Sequence, residues 1–107
     1  MEIKQYCIAL VNLDPTVGSE MRKVRPGVII SPDEMNKHLQ TVVIAPVAST
    51  SKSYPTRIEM KHSKAKGWIV LDQIRTIDRQ RIIKIIGQLS ETEVKKTKAV
   101  IKETFVD

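Results

Sequence analysis

Two polar segments interrupt otherwise apolar stretches of the chain, Thr16 to Arg25 and Ser49 to Tyr54, and each mixes a base with small hydroxyl residues. If neighbouring strands bring them together, backbone N–H groups, hydroxyls and the Arg25 guanidinium form a pocket suited to a phosphate, since a guanidinium offers its N–H groups in pairs to two oxygens at once. Other chemistry finds little footing. His38 and His62 stand apart in polar surroundings, without the paired spacing of a metal site. No Walker loop, dinucleotide fingerprint or nucleophile elbow occurs. Asp72, Asp78, Glu91 and Glu93 do not form a Mg²⁺ motif, although carboxylates distant in sequence can converge in space; a metal-dependent nuclease has no motif to support it, and no cofactor is expected.

Composition narrows the partners. The chain has 107 residues, enough for a single domain over 1–107 with one core, so a large binding surface calls for a second copy. Hydrophobic residues make up 41% and charged residues 28%, and no apolar run approaches the length of a membrane span. The N-terminal MEIKQYCIAL does not read as a signal peptide, and Cys7 is the single cysteine, which rules out an intramolecular disulfide. A cytoplasmic protein is expected. The net charge is +6, and twelve bases against seven acids in residues 56–107 hold most of it, compared with six against five in 1–55. Such an excess attracts polyanions or acidic proteins.

The elements that must position the two polar segments are short strands. Tyr6 to Leu13 is rich in β-compatible residues and stops at Asp14-Pro15, and Val28 to Ile30 forms a second strand after Arg25-Pro26-Gly27. Ser31-Pro32-Asp33-Glu34 has the pattern of a capping box and predicts a helical insert of one or two turns. Thr41 to Val47, Arg57 to Met60, and Trp68 to Leu71 read as further strands, with Trp68 assigned to the core. Ile82, Ile83, Ile85 and Ile86 supply one more. Ser90 and Glu93 form a second capping box, Leu89 and Val94 a hydrophobic staple, and Val94, Thr97, Ile101 and Phe105 the apolar stripe of a C-terminal helix. The expected fold is mainly β with some α: a small, twisted antiparallel sheet resembling a barrel, one short helical insert and a C-terminal helix.

The blocks Leu13-Asp14-Pro15-Thr16, Gly18-Ser19-Glu20 and Val24-Arg25-Pro26 resemble the first two strands and loop of MazF/PemK-type toxins. The similarity runs on through Ser31-Pro32 and Asn36, Pro46, Ser51 to Pro55, and Asp72 to Asp78. This resemblance implies an SH3-like barrel of the CcdB/PemK type and a homodimer. It also implies a ribosome-independent, metal-independent endoribonuclease that cleaves single-stranded mRNA and is neutralised by a MazE-like antitoxin with an acidic C-terminal tail. The long loop between the first two strands, with Arg25 at its end, would gate the RNA groove. Arg25 falls at the family's catalytic arginine, and Ser49 at its hydroxyl partner, usually Thr, with Thr50 a one-residue shift away. Glu20 or Asp72 is the expected acid or base, because a guanidinium pKa above about 12 suits a clamp better than a proton acceptor. Thr16, Ser19, Lys23, Thr50, Lys52 and Gln73 are the expected RNA-lining groups, and Tyr54 either stacks on a base or packs beneath its loop.

Two other readings carry different expectations. A gyrase-binding toxin of the CcdB type relies on a terminal Trp-Gly-Ile, whereas this chain ends Phe105-Val106-Asp107. A plain basic RNA-binding module would bind RNA through Arg25 and cleave nothing.

Overall fold

The structure, a computed structural model, describes residues 1–13 and 24–106. Among the described residues are seven strands: β1 (Cys7–Asn12), β2 (Val24–Ile29), β3 (Thr41–Ala48), β4 (Arg57–Lys61), β5 (Lys66–Val70), β6 (Arg75–Asp78) and β7 (Ile82–Gln88). Helix α1 (Asp33–His38) joins β2 to β3, and α2 (Glu91–Ile101) follows β7. All the pairings are antiparallel. The sheet order is β4-β5-β3-β2-β1-β7, and β6 also pairs with β3.

The organising strand is β3, whose eight residues serve three neighbours. It pairs with β2 through Ile44 to Pro46, with β6 through Thr41 to Ile44, and with β5 through Val47 and Ala48. Because successive side chains point to opposite faces of a strand, β3 feeds two cores at once. Val42 and Ile44 join Ala9, Val11 and Ile29 on one face. Ala45 and Val47 join Ile8, Val28, Ile58, Met60 and Ile69 on the other. Both faces of this strand are therefore apolar, which is why its sequence reads as a continuous run rather than an alternation.

Helix α2 covers the second of these cores with Val94, Val100 and Ile101. Its start is locked as its sequence predicts: the Ser90 hydroxyl accepts from the Glu93 N–H at 3.2 Å, and the Glu93 carboxylate accepts from the Ser90 N–H at 2.9 Å. The other oxygen of that carboxylate accepts from the Lys61 N–H at 3.0 Å and ties the helix to edge strand β4. The apolar stripe does not extend to Phe105. Residues 102–106 form a wider π-type turn, and Phe105 is exposed.

Three other local expectations give way. Ser31 does not cap α1: Pro32 occupies the cap position, and the Ser31 hydroxyl instead donates to Asn36 Oδ1 at 2.5 Å and accepts from the Val43 N–H at 3.0 Å. Ser31 and Asn36 are both buried, so their polar atoms bond to each other and to β3 in place of water. Tyr6 does not begin β1. It takes a left-handed φ of +67°, its N–H donating to the Ile29 carbonyl and its own carbonyl accepting from the Leu89 N–H. Trp68 is only partly buried, unlike Ile69, Val70 and Leu71 after it.

Among the described residues no helix is long and apolar enough to cross a membrane.

Candidate functional site

Arg25 is the second residue of β2, exposed, and paired with Val11 of β1. The β2–β3 ladder runs from Ile29↔Ile44 to Gly27↔Pro46. There β3 presents a proline, which has no N–H to donate. Counting outward from Gly27↔Pro46, two residues along each strand are Arg25 and Ala48, and three are Val24 and Ser49. Arg25, Ser49 and Thr50 thus emerge at the same end of two neighbouring strands, and all three are exposed. Ala48, level with Arg25, is the smallest side chain that could stand there apart from glycine.

Close approach of the next strand sets where Ser49 begins. Gly67 of β5 has a φ of +155°, and a Cβ built on it would lie 2.3 Å from the Ala48 carbonyl oxygen. Only glycine permits β5 to come this near the end of β3 without moving the Ala48–Ser49 backbone.

The segment after Ser49 is pinned by a residue that sequence inspection treated merely as a strand position. The Arg57 guanidinium donates to the Ser51 hydroxyl at 2.8 Å and to Asp72 at 3.3 and 3.4 Å. It also lies over the Tyr54 ring, 4.9 Å from the centroid. Asp72 accepts a further bond from the Thr56 hydroxyl at 2.9 Å. One guanidinium therefore holds the loop at two points and anchors it to the turn after β5. The alternating polarity of Arg57 to Met60 signals a half-buried strand, but Asp72 lies 15 residues from Arg57, too far for any local pattern to reveal the pair. Tyr54 is exposed and engaged with Arg57 rather than packed beneath the loop.

Asp72 consequently has a structural task. Its hydrogen bonds from Arg57 hold its carboxyl below the usual carboxylate range, with the Thr56 hydroxyl acting in the same direction. A depressed folded-state pKa contributes stability above the unfolded value of about 3.9, and that contribution is lost as pH falls through the folded value. Asp72→Asn is therefore expected to lower Tm by a constant amount from pH 5 to 8, and the gap from wild type is expected to close below about pH 4. Thermal denaturation across that range checks it, and a gap unchanged down to pH 2 would contradict it.

Of the other residues singled out by sequence, Lys52 and Gln73 are exposed, Lys52 on the loop between β3 and β4 and Gln73 in the 3-10 turn after β5. Thr16, Ser19, Glu20 and Lys23 lie outside the described residues. His62 is partly buried rather than free on the surface, and its ring packs on Gly87 of β7. Among the described residues no three of His, Cys, Asp or Glu are grouped to hold a metal ion.

Comparison with known proteins places this arrangement. Residues 4–105 match the family model described as PemK-like, MazF-like toxin of type II toxin-antitoxin system. A relative named Endoribonuclease MazF, from Staphylococcus saprophyticus, is 35% identical over 100 residues, covering 88% of this chain and 83% of that one. In fold, the chain is similar to MazF from Deinococcus radiodurans, with a TM-score of 0.83 at 19% identity over 100% of this chain and 99% of that one. A mycobacterial endoribonuclease in complex with its cognate antitoxin gives a TM-score of 0.82 at 18% identity, over 97% and 95% of the two chains. The strand pair that carries Arg25 and Ser49 and the terminal helix are thus parts of a known scaffold, and this chain belongs to the PemK-like, MazF-like toxins of type II toxin–antitoxin systems.

Proposed function

We propose that this chain is a sequence-specific, ribosome-independent endoribonuclease that cleaves single-stranded mRNA without a metal. It acts in the cytoplasm as a two-fold dimer and is neutralised by a MazE-like antitoxin whose acidic tail occupies the RNA groove. The observation that carries this reading is the 35% identity to a protein named as an endoribonuclease. Supporting it is the emergence of Arg25 and Ser49 at one end of adjacent strands.

RNA brings its own nucleophile, the 2′-hydroxyl beside the scissile phosphate, so the protein has only to orient it, move protons and stabilise the dianionic phosphorane. Arg25 clamps two non-bridging oxygens through paired N–H groups. Ser49 donates a hydroxyl hydrogen bond to the same centre, with Thr50 as its neighbour for that role. Glu20 takes the proton from the 2′-oxygen more readily than Asp72, whose carboxylate is engaged by Arg57 and Thr56. Thr16, Ser19, Lys23, Lys52 and Gln73 line the path of the strand. The products are a 2′,3′-cyclic phosphate and a 5′-hydroxyl.

Purified protein incubated with a long RNA in excess EDTA is expected to cut it at a restricted set of sites. The new 5′ ends should accept label from polynucleotide kinase without prior phosphatase treatment. Cleavage only after Mg²⁺ is added back, or 5′ ends that need dephosphorylation first, would overturn the metal-independent mechanism.

A further inference from the structure

A cavity of about 480 Å³ opens beside Ser49 on the β4–β5 hairpin, and Glu59, Lys61, His62, Lys66 and Trp68 line it with that serine. Its make-up follows from the register. Glu59 pairs with Trp68 and Lys61 with Lys66, while Trp68 pairs on its other side with Ala48 of β3. Directly opposed residues, and those two apart, share a sheet face. These four side chains therefore stand together, while Ile58, Met60 and Ile69 point into the core behind them. His62 closes one end. Its ring rests on the bare backbone of Gly87, where a Cβ would lie 2.3 Å from Nε2, and its Nδ1 accepts from the Lys64 N–H at 3.0 Å.

The chemistry of this face suits a nucleotide. A partly exposed indole is a stacking platform for any base, and the two ammonium groups match phosphates on either side. Glu59 is exposed, with Lys61 Nζ at 4.0 Å. A carboxylate there repels phosphate but accepts from an exocyclic amine of a base. Continuing the β2–β3 register puts Arg25 level with Ala48, so Trp68 lies two strand spacings from it, about 10 Å.

The geometry points to this cavity as the subsite for a nucleotide next to the scissile phosphate of single-stranded RNA, selecting a base that carries an exocyclic amine. The base stacks on Trp68, Glu59 accepts from its amine, and Lys61 and Lys66 hold the flanking phosphates. Uracil sets carbonyl oxygens against the carboxylate and is disfavoured. This assignment rests on the reading of Arg25 and Ser49 as the cleavage site.

The chain has a single tryptophan, so its fluorescence reports on position 68 alone. Short 2′-O-methyl oligoribonucleotides of A, C or U cannot be cleaved by the 2′-hydroxyl route and serve as probes. Oligo-A and oligo-C are expected to quench the full-length protein saturably, with half-saturation at a concentration about tenfold below that for oligo-U. Glu59→Gln, at an exposed position, should bring the three curves together while keeping the quench. Lys66→Ala should weaken all three alike and reduce their salt dependence. Absence of quench in the wild-type protein, or equal response to the three bases, overturns the subsite. Cleavage of long RNA by the same preparation is read separately. Cleavage without quench removes the subsite and leaves the nuclease, whereas base-selective quench without cleavage keeps the nucleotide site and removes the nuclease.

Discussion

A single 2′-deoxyribose at the cut nucleotide is expected to abolish cleavage at that position while other sites in the same RNA remain sensitive. The reason is the source of the nucleophile. In the proposed mechanism Arg25 and the hydroxyls of Ser49 and Thr50 supply hydrogen bonds and positive charge, and the RNA itself supplies the attacking oxygen. An internal 2′-hydroxyl held in line with the leaving 5′-oxygen enjoys an effective concentration that bulk water cannot match, about 10⁵ M or more in well-oriented systems. Removing that one oxygen removes the reaction. Primer extension on matched RNAs measures it site by site. A deoxy-substituted site cut at the ribose rate would show that water is the nucleophile, and the roles given to Arg25 and Ser49 would have to be redrawn around hydrolysis.

How far the sequence reveals this molecule depends on the range of the interaction concerned. The capping box at Ser90 and Glu93 is legible because both halves lie within one helical turn, and it forms as read. The similar pattern at Ser31 misleads because a stronger tertiary claim intervenes. Asn36 and the Val43 N–H take the hydroxyl once β3 packs alongside. Strand β6 carries little local signal: three of its four residues are exposed, and its pairing with β3 joins residues more than thirty positions apart. Trp68 heads an apolar run and so reads as core. In the sheet its side chain falls on the face opposite Ile69, beside Glu59 rather than among the isoleucines. The Arg57–Asp72 pair has the same origin, a contact made by the fold and invisible to periodicity. Arg25 and Ser49 are singled out as a pair only through resemblance to a family. Their types suggest phosphate binding, but nothing in their spacing says that β2 and β3 are neighbours. Thr16, Ser19, Glu20 and Lys23 lie outside the described residues.

Arg25→Ala is expected to slow cleavage about 100- to 1,000-fold, the usual cost of deleting one preorganised donor to a developing oxyanion. The position allows a clean measurement. Arg25 is exposed at the start of β2, and substitution at such a site changes stability by about 0.5 kcal/mol or less, so Tm should stay close to wild type. Binding should fall much less than rate, because the remaining positive groups still neutralise phosphates along the strand. Single-turnover cleavage and filter binding on the same RNA separate the two. Arg25→Lys is the sharper comparison: the charge survives, but one rotating ammonium replaces a planar fork that meets two oxygens at once. If charge alone mattered, lysine would restore most of the rate. If the fork matters, Arg25→Lys will stay near the alanine value, while Ser49→Ala and Thr50→Ala, compared side by side, identify which hydroxyl completes the clamp. A fully active Arg25→Ala would place the phosphate elsewhere on the molecule, and the junction of β2 with β3 would lose its claim to be the site.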